Sequence, residues 1–449
     1  MTRNLFLVFL FSMLALIPGV VAGQSGWTLD RCIRYAWENN ITVRNESLEV
    51  GIRKADYRQA RNNLLPNLNF NAALDENFGR SIDPSTNTFI ATQYFNSGFS
   101  LSSSMDLFAG FMKQNTLGMQ KFNYLAEKSR LQQMKNELAI AVIESYFNVL
   151  LQNGLAAIAE ENYQLSHDQL QGMIRFVEVG RKPGADLLET EANVAADSSL
   201  LVQSRHLLKQ AVLSLKANMN FPVADTLSID TTGSPLFSVH LDTLTLNNLY
   251  LTASETLPDL ELSRRRMLAA RKAVQVSKGS FSPGLSLYGS WGSQYSETGR
   301  DAFDRRLPFS DQISNNSSEF VSLNLSIPLF TRFSNVTALG KSKLQYEQAK
   351  NQYEEAGYKL KMVTEQSLED WRAALADYRS SLHRLSKSYS AYQAAEKKLE
   401  KGLISVIEFD IQKNKWSTAK SESLRTGLQV MLRERHLRFL MTGSLINDL

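Results

Sequence analysis

The stretch Phe99–Gly110, FSLSSSMDLFAG, decides how this chain is read, because it returns 222 residues later as Val321–Arg332, VSLNLSIPLFTR. Phe99, Leu101, Leu107 and Phe108 stand opposite Val321, Leu323, Leu329 and Phe330. Working backward, LPNLNFNAAL (Leu65–Leu74) matches SPGLSLYGSW (Ser282–Trp291), each with a proline in second place. Working forward, EVGRKPGADLLETE (Glu178–Glu191) matches EKGLISVIEFDIQK (Glu400–Lys413), with Gly180 opposite Gly402. The offset stays between 217 and 222 residues throughout, which marks an internal duplication. The repeated unit reads helix, strand, strand, long helix, return helix. The first repeat is expected over residues 23–235, with strands at about 65–77 and 96–108 and a helical hairpin tip at about 178–186. The second is expected over 236–449, with strands at about 283–295 and 319–330 and a tip at about 400–408.

All four strand segments alternate. Leu68, Phe70, Ala72 and Leu74 lie on one face against Asn67, Asn69, Asn71 and Asp75; Phe99, Leu101, Met105 and Leu107 lie against Ser100, Ser102, Ser104 and Asp106. In the second repeat, Leu285, Leu287 and Trp291 oppose Ser286, Tyr288 and Ser290, and Val321, Leu323, Leu325 and Ile327 oppose Ser322, Asn324 and Ser326. Period-two alternation gives one wet and one apolar face. The pattern also fits an ordinary amphipathic sheet packed on a helix. Two features favour a membrane instead: the wet face is built from small uncharged Ser and Asn, as a water-filled lumen would be, and each run is near the length that crosses a bilayer when tilted. Phe78, Tyr94, Phe95, Phe108, Tyr295 and Phe330 cluster near the strand ends, where interfacial aromatics belong.

Four strands cannot seal themselves in lipid, because open sheet edges leave backbone groups without partners at several kcal/mol each. Closed membrane barrels begin at about eight strands. Strands in a membrane therefore require several copies of the chain to share one barrel.

Between Phe111 and Val179, and again from Ser334 to Lys401, no proline interrupts a helical apolar period. A helix of roughly 65 residues would be about 100 Å long, well beyond a globular domain. Each ends at a glycine-containing turn, followed by a return helix over Leu187–Asn220 or Phe409–Met441. Shorter helices, Asp30–Asn63 and Thr245–Ser280, precede the strands. All strands then lie at one end of a long helical body.

The N-terminus reads as a secretory signal over residues 1–22: Arg3, an apolar core Leu5–Ile17, and Val20-Val21-Ala22 as a small-residue cleavage site. With 49 basic and 45 acidic residues the chain has no electrostatic footprint for nucleic acid. The single Cys32 excludes an intrachain disulfide and a cysteine zinc site. The histidines His167, His206, His240, His383 and His436 are scattered without metal-ligand spacing, and no phosphate loop or nucleophile elbow occurs. Neither an enzyme nor a cofactor is expected. Two classes remain: a passive exit duct, and a structural or adhesive periplasmic coiled-coil protein without a pore. The Ser/Asn-faced strands favour the duct, because a rod needs no lumen.

The chain resembles the TolC family of outer-membrane efflux and secretion channels, through LDRCIRYAWENN (29–40), LLPNL (64–68), DLFAG (106–110) with its counterpart PLFTR (328–332), and the hairpin ends VGRKPGADLLETE and KGLISVIEF, in that order. The resemblance implies a mainly α chain that forms a homotrimer, with a twelve-stranded β-barrel in the lipid of the outer membrane continued by a periplasmic α-helical barrel. Ser100, Ser102, Ser286, Ser290, Ser322 and Asn324 would line the lumen, and Leu101 and Leu323 would face lipid. The loops Arg80–Gln93 and Gln294–Glu319 would lie outside the cell. The tips, Val179, Gly180 and Arg181 with Gly402, Leu403, Ile404 and Ser405, would meet a periplasmic membrane-fusion adaptor of an inner-membrane pump or secretion ATPase. Asp186, Glu408 and Asp410 are the candidates for the pore entrance, where three-fold symmetry would gather up to six carboxylates from Asp186 and Glu408. The chain departs from the family pattern at Ile411, which replaces an acidic residue, and at Leu399 and Ile404, which replace an aromatic and a basic member of the closing network.

Overall fold

In the computed structural model, residues 26–82, 87–91, 93–230 and 245–446 are described. The expected signal at 1–22 lies outside them, as do His240 and parts of the loop 80–93 and of the segment between the two halves. The first half runs α1 (Leu29–Asn39), α2 (Ile41–Asn62), β1 (Asn69–Asn77), β2 (Arg80–Ile82), β3 (Phe89–Ala91), β4 (Tyr94–Ala109), α3 (Met112–Glu178) and α4 (Gly184–Met219). The second runs α5 (Leu246–Thr256), α6 (Pro258–Gly279), β5 (Gly284–Ser296), α7 (Phe309–Asn315), β6 (Ser318–Ser326), α8 (Ser334–Glu400) and α9 (Val406–Thr442). The two long helices, α3 and α8, each have 67 residues.

The helix before each strand pair is broken in two. Asn40 closes α1 and caps α2 in an extended conformation; its Oδ1 accepts from Thr42 N at 2.8 Å, and its amide donates to Asn218 O on α4 at 3.0 Å. Leu257 is extended ahead of Pro258, whose ring disfavours the helical conformation in the residue before it. These two joints divide both entry helices.

The long helices form hairpins, α3 with α4 and α8 with α9; α6 wedges between α3 and α8, and α9 also reaches α3. By length and composition α3 could itself cross a membrane, but its Ala139, Val142, Ile143 and Val149 are buried in a core formed with Ile33 of α1, Leu215 and Met219 of α4, Leu249 of α5, Trp371 of α8 and Leu437 of α9. This core sits about half-way along α3 and joins both halves. Full burial of each of its Val, Ile, Leu and Met side chains stabilises by about 1.5–3 kcal/mol. A short clasp closes it: Trp27 bridges Ile229 in parallel, and Tyr146 donates to Asp230 O at 2.9 Å. Cys32 lies in this core, where burial pushes its thiol up to about 12.

The sheet is antiparallel, in the order β1-β4-β5-β6, so that β1 and β6 are open edges. β6 ends at Ser326, ahead of Pro328, which has no N–H to give the ladder. Part of the loop after β5 folds back as α7. Phe309 packs against Phe99 and Tyr295, and Gln312 accepts from Ser296 N and donates to Ser296 O, both at 3.0 Å. This helix covers the far end of the apolar sheet face.

Candidate lumen and docking tips

Residues directly opposite in an antiparallel pair share a face, so the register sorts the side chains. Ser102 lies opposite Asn69 and Ser290, Ser100 opposite Asn71 and Gly292, Ser286 opposite Asn324, and Ser322 opposite Tyr288. The six residues expected to line a lumen therefore stand on one face, interrupted by the Tyr288–Phe320 ring contact. The other face aligns Phe70, Leu101 and Trp291, and separately Met105, Leu287 and Leu323. This apolar face is open to solvent along the edge strands, with Leu68 at 70% and Val321 at 76% exposure. A bulge at Asp106/Phe108 turns Phe108 onto the apolar side opposite Leu285 and leaves Asp106 paired with Lys113 at 2.8 Å.

At the other end, both long helices stop in the same way. Arg181 N donates to Phe176 O at 2.8 Å and Gly180 N to Val177 O at 3.0 Å; Leu403 N donates to Lys398 O and Gly402 N to Leu399 O, both at 2.9 Å. This double bond pattern needs a left-handed residue, and Gly180 (φ 71°) and Gly402 (φ 70°) supply it. Apart from the chain neighbours, no atom of the described residues lies within 4 Å of where a Cβ would sit at either glycine, so backbone conformation alone demands glycine there. Val179, Arg181 and Leu403 are exposed, whereas Ile404 tucks against the ring cluster of Tyr392 and Phe409.

The acidic candidates separate. Asp186 lies in the first turn of α4 and pairs with Lys182 at 3.3 Å. Glu408 closes a capping box: it accepts from Ser405 N at 2.9 Å and donates its own N–H to Ser405 Oγ at 3.2 Å. Both carboxylates remain close to solvent at the tips. Asp410 does not: it is buried in the seam between the hairpins, where its Oδ2 accepts from Asn193 of α4 and its Oδ1 has no partner among the described residues. Burial, helped by Asp197 and Glu189, holds its carboxyl above the usual range against the pull of Lys413. This removes Asp410 from the exposed mouth expected from the sequence.

The seam also holds residues that the sequence reading missed. Lys413, 2% exposed, donates to Ser166 Oγ of α3 at 2.6 Å and to Asp197 of α4 at 2.9 Å. Ser166 bonds the same Asp197 oxygen. One lysine of the second half is thus shared by both helices of the first. Nearby, Trp416 stacks on Tyr392 with centroids 4.7 Å apart. No local motif announces the contacts of Lys413, because its partners lie more than 200 residues away in the chain.

A family model described as "Outer membrane efflux protein" matches residues 32–220 and 249–443, and the chain belongs to that family. The fold is similar to that of CusC, at 18% identity and a TM-score of 0.79 over 95% of this chain and 96% of that one. It is similar also to the CmeC outer membrane channel of Campylobacter jejuni, at 15% identity and 0.77 over 92% and 85%. The MtrE outer membrane channel of Neisseria gonorrhoeae, in its open state, matches at 18% identity and 0.74 over 94% and 90%.

Proposed function

We propose that this protein is a passive exit duct in the outer membrane, the last part of a tripartite efflux or type I secretion system. The observation that carries the reading is the open four-stranded sheet: an exposed apolar face, a Ser/Asn face behind it and two unpaired edges, all at one end of a helical body about 100 Å long. Joining β1 of one copy to β6 of the next removes both edges, and three copies give twelve strands. The matched family and the similar channel folds support this reading. A coiled-coil rod would leave the apolar sheet face without purpose.

The helical part carries the matching signs of a ring. At 100° per residue, Leu188, Glu191, Ala192 and Ala195 of α4 point away from Asp197, and Ile407, Ile411 and Lys415 of α9 point away from Lys413. Leu188, Glu191, Ile407, Ile411 and Lys415 are exposed. The two free faces are unlike and lie on opposite flanks, the geometry of a head-to-tail interface that closes into a ring. Asp168, Glu178 and Glu191 are exposed on the first hairpin, and Arg384, Lys387 and Lys415 on the second, all without an ion pair among the described residues. The Gly180 and Gly402 turns form the far end, where an adaptor bound to a pump or secretion ATPase would dock.

Purification tests this directly. The protein is expected to require detergent, to run as three chains by light scattering and to conduct ions in a planar bilayer. A soluble monomer without conductance would refute the duct.

A further inference from the structure

The two repeats place their helices alike, down to single hydrogen bonds. Asn335 Nδ2 of α8 donates to Ser280 O at 2.8 Å; its counterpart in the first repeat, Lys113 Nζ of α3, donates to Asn63 O, the counterpart of Ser280, also at 2.8 Å. Each entry helix thus lies on the long helix of its own repeat, α2 on α3 and α6 on α8. Among the described residues only α6 has a second long helix beside it. It packs on α3, where Arg265 Nη1 donates to Leu125 O at 2.8 Å and to Ser129 Oγ at 2.9 Å, and Lys272 Nζ donates to Asn115 Oδ1 at 3.2 Å. Lys272 also crosses Gly118, where a Cβ would fall 3.3 Å from its Cε.

The counterparts of this contact face solvent. On α2, Leu48 stands for Arg265, Ile52 for Ala269 and Ala55 for Lys272; on α8, Gly340 stands for Gly118, Leu344 for Phe122 and Glu347 for Leu125. Ala269 is 6% exposed, whereas Leu48, Ile52 and Leu344 are 67%, 52% and 74% exposed. Ala55, Gly340 and Glu347 are exposed as well. Apart from its chain neighbours and its own helix backbone, no atom of the described residues lies within 4 Å of a Cβ at Gly340. Spacings of three and four put each set on one helical face. One helix therefore offers an apolar stripe, and the other a notch of the shape that Lys272 crosses at Gly118.

We propose that these faces meet between copies: α2 of one copy packs against α8 of the next, in the register that α6 keeps on α3. Ala55 then lies over the Gly340 notch, Ile52 against Leu344 and Leu48 near Glu347. The inference rests on the duct reading, in which copies form a ring. A second copy is the occupant that fits, because the chain already makes this contact between its own halves, and stacked repeats present one contact to each neighbour in turn. The pairing also continues the joined sheet edges, since α2 leads into β1 and α8 follows β6. The two faces are unlike, so the contact runs head to tail, as a closing ring requires.

Paired cysteines test it. Oxidation of A55C/G340C is expected to join chains into a covalent ring of three on a non-reducing gel. A55C/E347C, displaced by about 10 Å along the helix, should join chains at least five-fold less. The single-cysteine variants control for Cys32, which is buried. Light scattering in detergent separates the two readings. Single chains in the unaltered protein would overturn the ring and the contact with it. Three chains without cross-linking of A55C/G340C, or with equal cross-linking of both pairs, would overturn the contact alone. Charges give a second readout that does not depend on disulfide geometry. I52E or L344K alone should lower the three-chain fraction at least two-fold with helix content unchanged by circular dichroism, because both sites are exposed in the single chain. I52E/L344K together should restore it. Full assembly of both single variants, or no recovery in the double variant, overturns the contact.

Discussion

Lys413 is the residue on which the seam between the hairpins depends. Removing one partner of a buried ion pair leaves the other charge uncompensated, at about 3–5 kcal/mol. Lys413→Met should therefore destabilise the protein strongly. Adding Asp197→Asn should recover much of the loss, which denaturation of the two single variants and the double variant would measure. Asp410 acts in the opposite sense. Its folded-state carboxyl titrates above the ordinary value of 3.8 because it is buried, so the folded state holds the proton more tightly than the unfolded one. Stability then falls as pH rises through the window between 3.8 and the raised value, and the loss is complete above it. Asp410→Asn keeps an acceptor for Asn193 and removes the buried charge. It should raise stability at pH 7 and change it little at pH 3, as thermal melts at the two values would show. Neither role was legible in the sequence, since Asp410 near a tip reads equally well as a mouth residue, and only the contact of α9 with Asn193 of α4 shows it turned inward.

At the scale of elements, much more was legible. Strict alternation sets the faces of the strands, and proline-free runs set the long helices, because both signals are local and repeated. Neither joint appears in the expected helices Asp30–Asn63 and Thr245–Ser280: Pro258 carries a signal for the one at Leu257, whereas Asn40 inside a helical run also passes for a surface residue. Helix α7 was hidden because its anchors, Gln312 on Ser296 and Phe309 on Phe99, come from elsewhere in the chain. The register yields a direct test of facing. Leu323→Arg places a charge on the apolar face, at about 2–4 kcal/mol in mid-membrane, and should reduce assembled protein in membrane fractions. Asn324→Arg, one residue on, should assemble normally and alter conductance. The tips yield another. Gly180→Val or Gly402→Val forces a β-branched residue into a left-handed turn, costing about 1–2 kcal/mol locally. Export in cells should drop while assembly persists, since these turns lie far from the sheet and the core.

Over the whole molecule, Asp168, Glu178 and Glu191 of the first hairpin and Arg384, Lys387 and Lys415 of the second, exposed and without an ion pair among the described residues, predict an association that weakens with salt. Reversing Lys387 and Lys415 to Glu should shift the assembly toward single chains in detergent, and raising the salt concentration should mimic it in the unaltered protein; light scattering would follow both. The two tips also differ in kind. One carries the Lys182–Asp186 pair and an exposed Arg181, the other a capping box and an exposed Leu403. A closed ring of three chains would present six ends of nearly equal shape but of two chemistries in alternation. A partner that reads only one chemistry would then saturate at three molecules per ring. One that fills all six places must tolerate both surfaces or bring two unlike contacts of its own, so counting bound partners at saturation would reveal which tip is recognised.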